Sequence, residues 1–200
     1  MIRKIFFVFG LALIAQLIVA CVNCNCPPTR TIYFTNKGAS LKNMDSALPH
    51  PMVANSVMIS SANYGIQVQL LTEQLSLIKP VITWGLMQSA HACSCSDDNF
   101  IAKEDILSLK VFSNNDFDIN HPKDTDLSPY FKAKKGVTLI SIDDYIKSSK
   151  DLSYNTRYAF NEGLFLQVKP SIAKKHKFKL IITLSDGRIL EAETTEVELV

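Results

Sequence analysis

The stretch FKLIITLSDGRILEAETTEVEL, residues 178–199, decides the fold. Apolar residues occupy every second position of its first half: Phe178, Leu180, Ile182 and Leu184. Such alternation is typical of a β-strand that has one buried face and one solvated face. Ser185-Asp186-Gly187 supplies a turn, and a second apolar segment follows it, so the stretch predicts a β-hairpin.

The loop length sets the register of this hairpin. A two-residue Asp186-Gly187 loop would pair Ile182 with Glu191 and place acidic side chains on the core face. A three-residue loop, with Gly187 in the left-handed conformation, pairs Ile182 with Leu190 instead. It also pairs Leu180 with Ala192, and Lys179 with Glu193 on the solvated face. The sequence therefore predicts a type I turn with a glycine bulge.

The same period of two recurs along the chain. It is found in residues 31–35, 66–70, 107–111 and 164–168, and turn-rich segments lie at 36–38, 113–116 and 121–124. Ser141-Ile142-Asp143-Asp144 is typical of a capped helix start with acids in the first turn, and residues 71–77 fit either strand or helix. We expect an all-β, antiparallel, immunoglobulin-like sandwich with one or two short helical turns.

The N-terminal segment carries a targeting signal. Arg3 and Lys4 precede the apolar stretch from Ile5 to Ala20, which is short for a membrane-spanning helix. Val19-Ala20-Cys21, an aliphatic residue and a small residue before cysteine, resembles the lipobox of bacterial lipoprotein precursors. We expect cleavage before Cys21 and acylation of that cysteine, which would hold the protein on a membrane.

These features divide the chain into three parts and bound its partners. Residues 1–20 are the signal peptide, 21–30 the lipidated N-terminus with a short tether, and 31–200 the sandwich. The signal peptide accounts for the whole net charge of +2, so the remainder carries 19 basic and 19 acidic residues. A neutral chain is a poor nucleic-acid binder, because phosphate neutralisation dominates that affinity. In some bacterial lipoproteins an acidic run after the acylated cysteine directs display on the cell surface, and no such run follows Cys21, which favours a domain that faces the periplasm. We expect the lipid anchor to lie in the outer membrane.

Four further cysteines form two C-x-C pairs. Cys24 and Cys26 form the first pair, and Cys93 and Cys95 form the second. An even number of cysteines in an exported protein is typical of disulfides, and bonds between the two pairs avoid the strained ring that each pair would close alone. The alternative is a soft-metal site for copper or zinc, to which His91 would add a ligand. A count of free thiols separates the two, since disulfides leave none and a metal site leaves four.

Catalytic signatures are absent from the sequence. It contains no Gly-x-Ser-x-Gly, no His-Glu-x-x-His and no phosphate loop, so we predict neither an enzyme nor a cofactor. Asp116-x-Asp118-x-Asn120 matches the start of a calcium loop, but the glycine and glutamate of an EF-hand are missing, so the EF-hand interpretation fails. Two alternatives remain, a polar turn and a looser carboxylate site with Asp124 and Asp126. Asp45-Ser46-Ala47 resembles an acceptor for periplasmic O-glycosylation, with Ser46 as the modified residue.

Together these motifs carry a family resemblance. The lipobox, the C-x-C that follows it, the segment ACSCSDD at residues 92–98 and the closing residues 178–199 resemble a Bacteroidetes family of uncharacterised lipoproteins, a domain of unknown function. The resemblance implies an immunoglobulin-like sandwich over nearly the whole mature chain and carries no activity with it.

The expected function is a membrane-anchored, non-catalytic binding or structural module of the cell envelope. Its partners would be the membrane, through the lipid, and an envelope protein or glycan. The alternative is a metal-binding lipoprotein that uses the two C-x-C pairs.

Overall fold

A computed structural model describes residues 29–47, 52–54, 57–75, 98–150 and 158–200. The chain divides into two compact units, one of residues 1–32 with 77–99 and one of residues 33–76 with 100–200. In the described part of the first unit, the Arg30 guanidinium donates to the Asp98 carboxylate, with 2.7 Å between Nη2 and Oδ2. The hydrogen bond from Arg30 lowers the pKa of Asp98.

The described residues form thirteen strands, one α-helix and one short 3₁₀ helix. The strands, β1 to β13 in chain order, are Thr31–Asp45, Met52–Val53, Met58–Ile59, Tyr64–Gln74, Asn99–Ala102, Ile106–Ser113, Phe131–Lys135, Thr138–Ser141, Leu164–Leu166, Lys175–His176, Phe178–Leu184, Ile189–Glu193 and Val197–Leu199. The helix α1 spans Ile142–Lys150, and the 3₁₀ helix spans Ser128–Tyr130.

The strands assemble into one large sheet and two small ones. The large sheet has the order β2-β1-β4-β9-β7-β8, and β5 also pairs with β1. The small sheets have the orders β10-β13-β3 and β12-β11-β6. The pairings along β2-β1-β4-β9-β7-β8, within β12-β11-β6 and between β10 and β13 are antiparallel, whereas β13 pairs with β3 in parallel.

All three sheets contribute to one hydrophobic core in the second unit. Ile66 and Leu164 come from the large sheet, Leu180 from the β12-β11-β6 sheet and Val197 from the third, and none of the four is exposed to solvent. The Phe178 ring lies 5.3 Å from that of Tyr64 and 5.6 Å from that of Phe131, measured between centroids. Burying a side chain of this size contributes roughly 1.5–3 kcal/mol relative to its exposure. The predicted all-β sandwich is therefore confirmed.

The C-terminal hairpin has the predicted register. Ile182 pairs with Leu190 and Leu180 with Ala192, and Gly187 has a φ of +86°. The Leu184 N–H donates to the Arg188 carbonyl and the Gly187 N–H to the Leu184 carbonyl, as a three-residue loop requires. Lys179 lies opposite Glu193 in the register as expected, but its ammonium group binds the diagonal neighbour Glu191 at 2.7 Å.

The capped helix is also confirmed, as α1. The Asp144 N–H donates to Ser141 Oγ, and the Ser141 hydroxyl donates back to Asp144 Oδ2 at 2.7 Å. The first bond satisfies one of the backbone donors that a helix N-terminus leaves without partners, and the second links the two side chains. Asp143 and Asp144 lie in the first turn, where the helix dipole favours negative charge.

Two of the predicted segments were wrong in detail. Residues 36–38 do not end a strand; they form a bulge inside β1, where the register against β4 shifts between Asn36 and Gly38. The segment 164–168 is not a half-buried strand, because β9 ends at Leu166 and all three of its residues are buried. Leu164 and Leu166 lie in the core, and Phe165 between them is packed on the opposite face and is 8% exposed, so this strand lacks the alternation of polar and apolar residues.

Candidate functional site

The predicted lipid, disulfide and metal sites lie outside the described residues. Their residues are Cys21, Cys24, Cys26, Cys93, Cys95 and His91. The cross-link from Cys24 and Cys26 to Cys93 and Cys95 therefore stays a prediction, as does lipidation of Cys21. The alternative, in which the same four thiols and His91 bind copper or zinc, stays a prediction too.

Ser46, the predicted glycosylation acceptor, is among the described residues and is exposed. It lies in the turn after β1, where Asp45 Oδ1 accepts the Ala47 N–H and the Ser46 N–H donates to the Asn63 carbonyl. The glycosylation itself stays a prediction.

Ser46 also lies on the rim of a groove in the second unit. The groove has a volume of about 700 Å³, and its lining is Ser46, Ser61, Ala62, Lys134, Val137, Leu139, Phe165, Leu166, Gln167, Val168 and Lys169. This volume lies in the range of small-molecule and cofactor pockets, roughly 300–1,000 Å³. The groove is the strongest candidate site among the described residues.

The short strand β9 forms the floor of this groove. Leu164 and Leu166 point into the core, so Phe165 between them lies on the outer face of the large sheet. Its register partners are Gly65 on β4 and Lys132 on β7. Lys134 lies two residues beyond Lys132 and shares this face by the alternation of strand side chains.

Two glycines make room for the Phe165 ring. A Cβ at Gly65 would lie 2.9 Å from Phe165 Cδ1 and Cε1, closer than real Cβ atoms approach a ring carbon. A Cβ at Gly163 would lie 3.1 Å from Phe165 Cε2 and 3.1 Å from Met44 Sδ, and Gly163 also has a φ of +106°. The ring therefore lies flat over a backbone without side chains and is only 8% exposed. As a result the groove has a smooth apolar floor.

Apolar and cationic side chains meet along the walls. Val137 is 99% exposed, Leu139 44% and Val168 39%, which is unusual for three large hydrophobic residues around one concavity. Lys134 and Lys169 are the charged residues of the lining, and neither forms an ion pair with any residue that the structure describes. The nearby Glu162 does not line the groove, and its carboxylate accepts the Gly136 N–H at 3.0 Å. The groove is therefore apolar and positively charged.

Asp116, Asp118 and Asp126 bind nearby backbone and side-chain donors, as in the polar turn that was the other interpretation of their spacing. Asp116 Oδ1 accepts the Lys123 N–H, and Asp126 Oδ1 accepts the backbone N–H of Ser128. Asp118 receives the Tyr130 hydroxyl at 2.9 Å and lies 2.9 Å from His121 Nδ1. Within the described ranges, no three His, Cys, Asp or Glu side chains come together as metal ligands would.

The bonds that Asp118 accepts determine its protonation. Desolvation is the largest single influence and raises the pKa of its carboxyl group. The hydrogen bonds from the His121 and Tyr130 side chains and from the Asn120 N–H together outweigh it, so the pKa is lowered overall. These acids stabilise turns of the 113–127 loop, and the calcium-like spacing reflects that role.

A second histidine has a buried partner that the sequence did not reveal. His176 Nδ1 lies 2.8 Å from Ser113 Oγ, and His176 Nε2 lies 3.0 Å from the Ala173 carbonyl. A carbonyl only accepts, so Nε2 carries the proton and Nδ1 accepts the Ser113 hydroxyl. The ring packs against Phe117 and Phe178, and burial lowers the pKa of His176. Ser113 is 2% exposed and His176 is not exposed, so the pair is out of reach of a substrate.

A third cluster joins β1 to the C-terminal turn. The Glu104 carboxylate is buried and accepts the Thr35 hydroxyl at 2.6 Å, while Arg188 Nη2 lies 2.7 Å from Glu104 Oε1. Arg188 Nη1 also donates to the Asn36 carbonyl, and Arg188 Nε to Asp186. A buried carboxylate needs such compensation, so this cluster stabilises the structure around the turn.

The sequence analysis missed the groove residues Phe165, Gln167, Lys134 and Lys169. One signal was present: Leu164-Phe165-Leu166 is apolar at three consecutive positions, which indicates a strand covered on both faces. Nothing in the sequence indicated that the outer face of this strand borders an open groove, because the residues that line the groove come from four separate segments of the chain.

The fold and the groove define the class of protein, an all-β sandwich domain with an open, positively charged groove on its large sheet. The family model for Domain of unknown function (DUF5034) matches residues 36–195, and the chain belongs to this family. The match confirms that the protein is a member of an uncharacterised family. Neither a curated protein nor a solved structure matches the chain.

Proposed function

We propose that the protein is a membrane-tethered, non-catalytic binding module of the cell envelope, with the groove along β9 as its binding site. The observation that carries the proposal is the groove itself. It combines an apolar floor, three exposed hydrophobic residues and two lysines without an ion-pair partner among the described residues. Binding sites for small molecules and peptides are typically concave and mostly apolar, with a few polar groups that set orientation. A wall of exposed hydrophobic residues costs solubility unless a ligand covers it.

The tether in this proposal is the lipid on Cys21. Its support is the Val19-Ala20-Cys21 motif after the apolar stretch of residues 5–20. In the part of the chain that the structure describes, no helix is long and apolar enough to cross a membrane. The ten residues from Cys21 to Thr31 would span at most about 35 Å, so the domain would stay close to the membrane surface. We place it on the outer membrane, facing the periplasm, as a Bacteroidetes lipoprotein.

Replacing the lipidated cysteine tests the tether. Cys21→Ser removes the thiol that takes the diacylglycerol, so we expect an unprocessed precursor without labelled fatty acid. The measurement is incorporation of radioactive palmitate together with the gel mobility of the chain. A variant that still incorporates palmitate and matures normally would refute the anchor.

Photo-crosslinking in the cells that make the protein tests the binding site. A benzoyl-phenylalanine replaces Leu139, which lines the groove and is 44% exposed. The matched control replaces Leu107 on β6, which is 51% exposed and does not line the groove. We expect an adduct with an envelope component from position 139 and none from position 107. Equal labelling at both positions, or no adduct at 139, would contradict the proposal.

A further inference from the structure

The two lysines of the groove lie at its opposite ends. The Lys134 N–H donates to the Gly163 carbonyl, which places Lys134 beside the start of β9. Lys169 follows the end of β9, where the chain runs antiparallel to the residues before β4 and reaches Ser61 and Ser46 in the same lining. Residues 163 to 169 cover six steps, at most roughly 20 Å at ~3.3 Å per residue. Because the extended strand ends at Leu166 and the chain bends at Val168, this length is an upper bound on the distance between the two backbone positions.

The groove between these charges is apolar on its floor and polar on its rim. The Phe165 ring forms the floor, and Leu139 and Val168 lie to either side of it. On the rim, Ser46 is exposed, while the Ser61 hydroxyl donates to the Val200 carbonyl and Gln167 Nε2 donates to the carbonyls of Phe165 and Leu166. A fatty acyl chain has at most one charged end and would leave one of the two lysines unpaired, and a neutral sugar polymer would leave both lysines unpaired and the apolar floor uncovered. An extended peptide can offer an acidic side chain to each lysine and apolar side chains to the floor between them.

We infer that the groove binds an extended peptide segment of up to about seven residues, with acidic side chains near both ends and apolar side chains between them. The inference rests on the proposed function and specifies the chemical class of the ligand that the groove binds. Lys134 and Lys169 bind the two acidic ends, and the Phe165 floor with Leu139 and Val168 receives the apolar middle. The charges determine which peptides bind and in which register, since exposed ion pairs contribute little affinity individually.

Selection from a library of random heptapeptides tests the inference on the purified full chain in detergent. We expect the enriched peptides to carry Asp or Glu near both ends and apolar residues in the middle. The selection is repeated with a double variant that combines Lys134→Glu and Lys169→Glu, for which acidic ends should disappear from the enriched set and basic ends should replace them. The matched control, Lys147→Glu, changes an exposed lysine of α1 that does not line the groove, and it should select the same peptides as the unaltered chain.

Titration of one enriched peptide gives the size of the effect. By fluorescence anisotropy, Lys134→Met combined with Lys169→Met should weaken binding about two- to thirty-fold, as two exposed ion pairs imply, and added salt should weaken it in the unaltered chain. Thermal melts of every variant, which should match that of the unaltered chain, separate lost binding from lost folding. An effect of Lys147→Glu equal to that of the double variant would overturn the inference.

Two further outcomes would also overturn it. Enriched peptides without acidic ends would show that the lysines do not select the ligand. Binding to vesicles of phosphatidylcholine with phosphatidylglycerol, lost in the double variant and accompanied by no peptide enrichment, would assign the lysines to the membrane surface. If either outcome is accompanied by an adduct at position 139, the groove is still a binding site and only the peptide ligand is refuted. If no adduct forms at position 139, the proposed function itself is refuted, whatever the peptide selection gives.

Discussion

The C-terminal turn and the floor of the groove both depend on a glycine, for opposite physical reasons. Gly187 has a φ of +86°, and a Cβ added to it would meet nothing within 4 Å. Gly65 has ordinary strand geometry, but a Cβ there would run into the Phe165 ring at 2.9 Å. Position 187 requires a residue that adopts a positive φ, and position 65 requires a residue without a side chain. The first need is visible in the local sequence, and the second exists only because β4 and β9 are neighbours.

Gly65→Ala should produce the largest loss. The new Cβ must displace the Phe165 ring, and overpacking of this kind costs about 1–3 kcal/mol. Urea denaturation measures the free energy of unfolding. The control is Gly38→Ala in the same sheet, where the Cβ would lie an ordinary 3.6 Å from Leu71 Cδ1. There we expect no loss, and a gain of up to about 1 kcal/mol from the reduced entropy of the unfolded chain.

A second substitution sharpens that result. Phe165→Leu in the Gly65→Ala background removes the clashing ring, so the double variant should recover part of the stability that Gly65→Ala loses. Strictly additive losses would show that the two residues do not interact, against the contact that the structure assigns to them.

Gly187→Val should cost less, about 1–2 kcal/mol, because only the left-handed backbone conformation resists the change. Gly187→Asn should retain most of the stability, since asparagine tolerates that conformation better than β-branched residues do. Both variants are compared by thermal unfolding. Equal melting temperatures for the Val and Asn variants would mean that the turn does not depend on the backbone of residue 187.

His176 should produce the smallest effect, confined to acidic pH. Its pKa is lowered in the folded protein, so the unfolded chain takes up a proton first as the pH falls below about 6.5. Stability is therefore complete above that pH and decreases below it, by at most about 1.4 kcal/mol per pH unit for one proton. The measurement is the free energy of unfolding between pH 7.5 and 5.5.

His176→Phe provides the control for this titration. The variant loses the hydrogen bonds to Ser113 and Ala173 and starts from a lower stability, but the slope that belongs to His176 should disappear. A slope unchanged from that of the unaltered chain would assign the acid sensitivity to other groups.

The comparison of the two glycines also explains which expectations the structure changed. The residues 113–127 show calcium-like spacing, yet Asp118 binds His121 and Tyr130, which the chain brings together from three and twelve positions away. Residues 36–38 have a turn-like composition, yet β1 continues through them because β4 supplies a pairing partner on the other side of the bulge. The composition of a segment limits the structures that it can adopt. Pairing with a neighbouring strand determines which of these structures forms.

The sequence by itself determined the all-β class, the hairpin of residues 178–193 and the cap of α1. Each of these depends on interactions between residues close together in the chain, where side-chain periodicity and turn chemistry act directly. Only the tertiary structure decided that Ser113 meets His176, 63 residues away, and that Phe165 lies over Gly65. Only the tertiary structure placed Lys134 and Lys169 in the lining of one groove. These arrangements depend on which strands become neighbours, and strand order is set by burial of the whole core rather than by any local pattern.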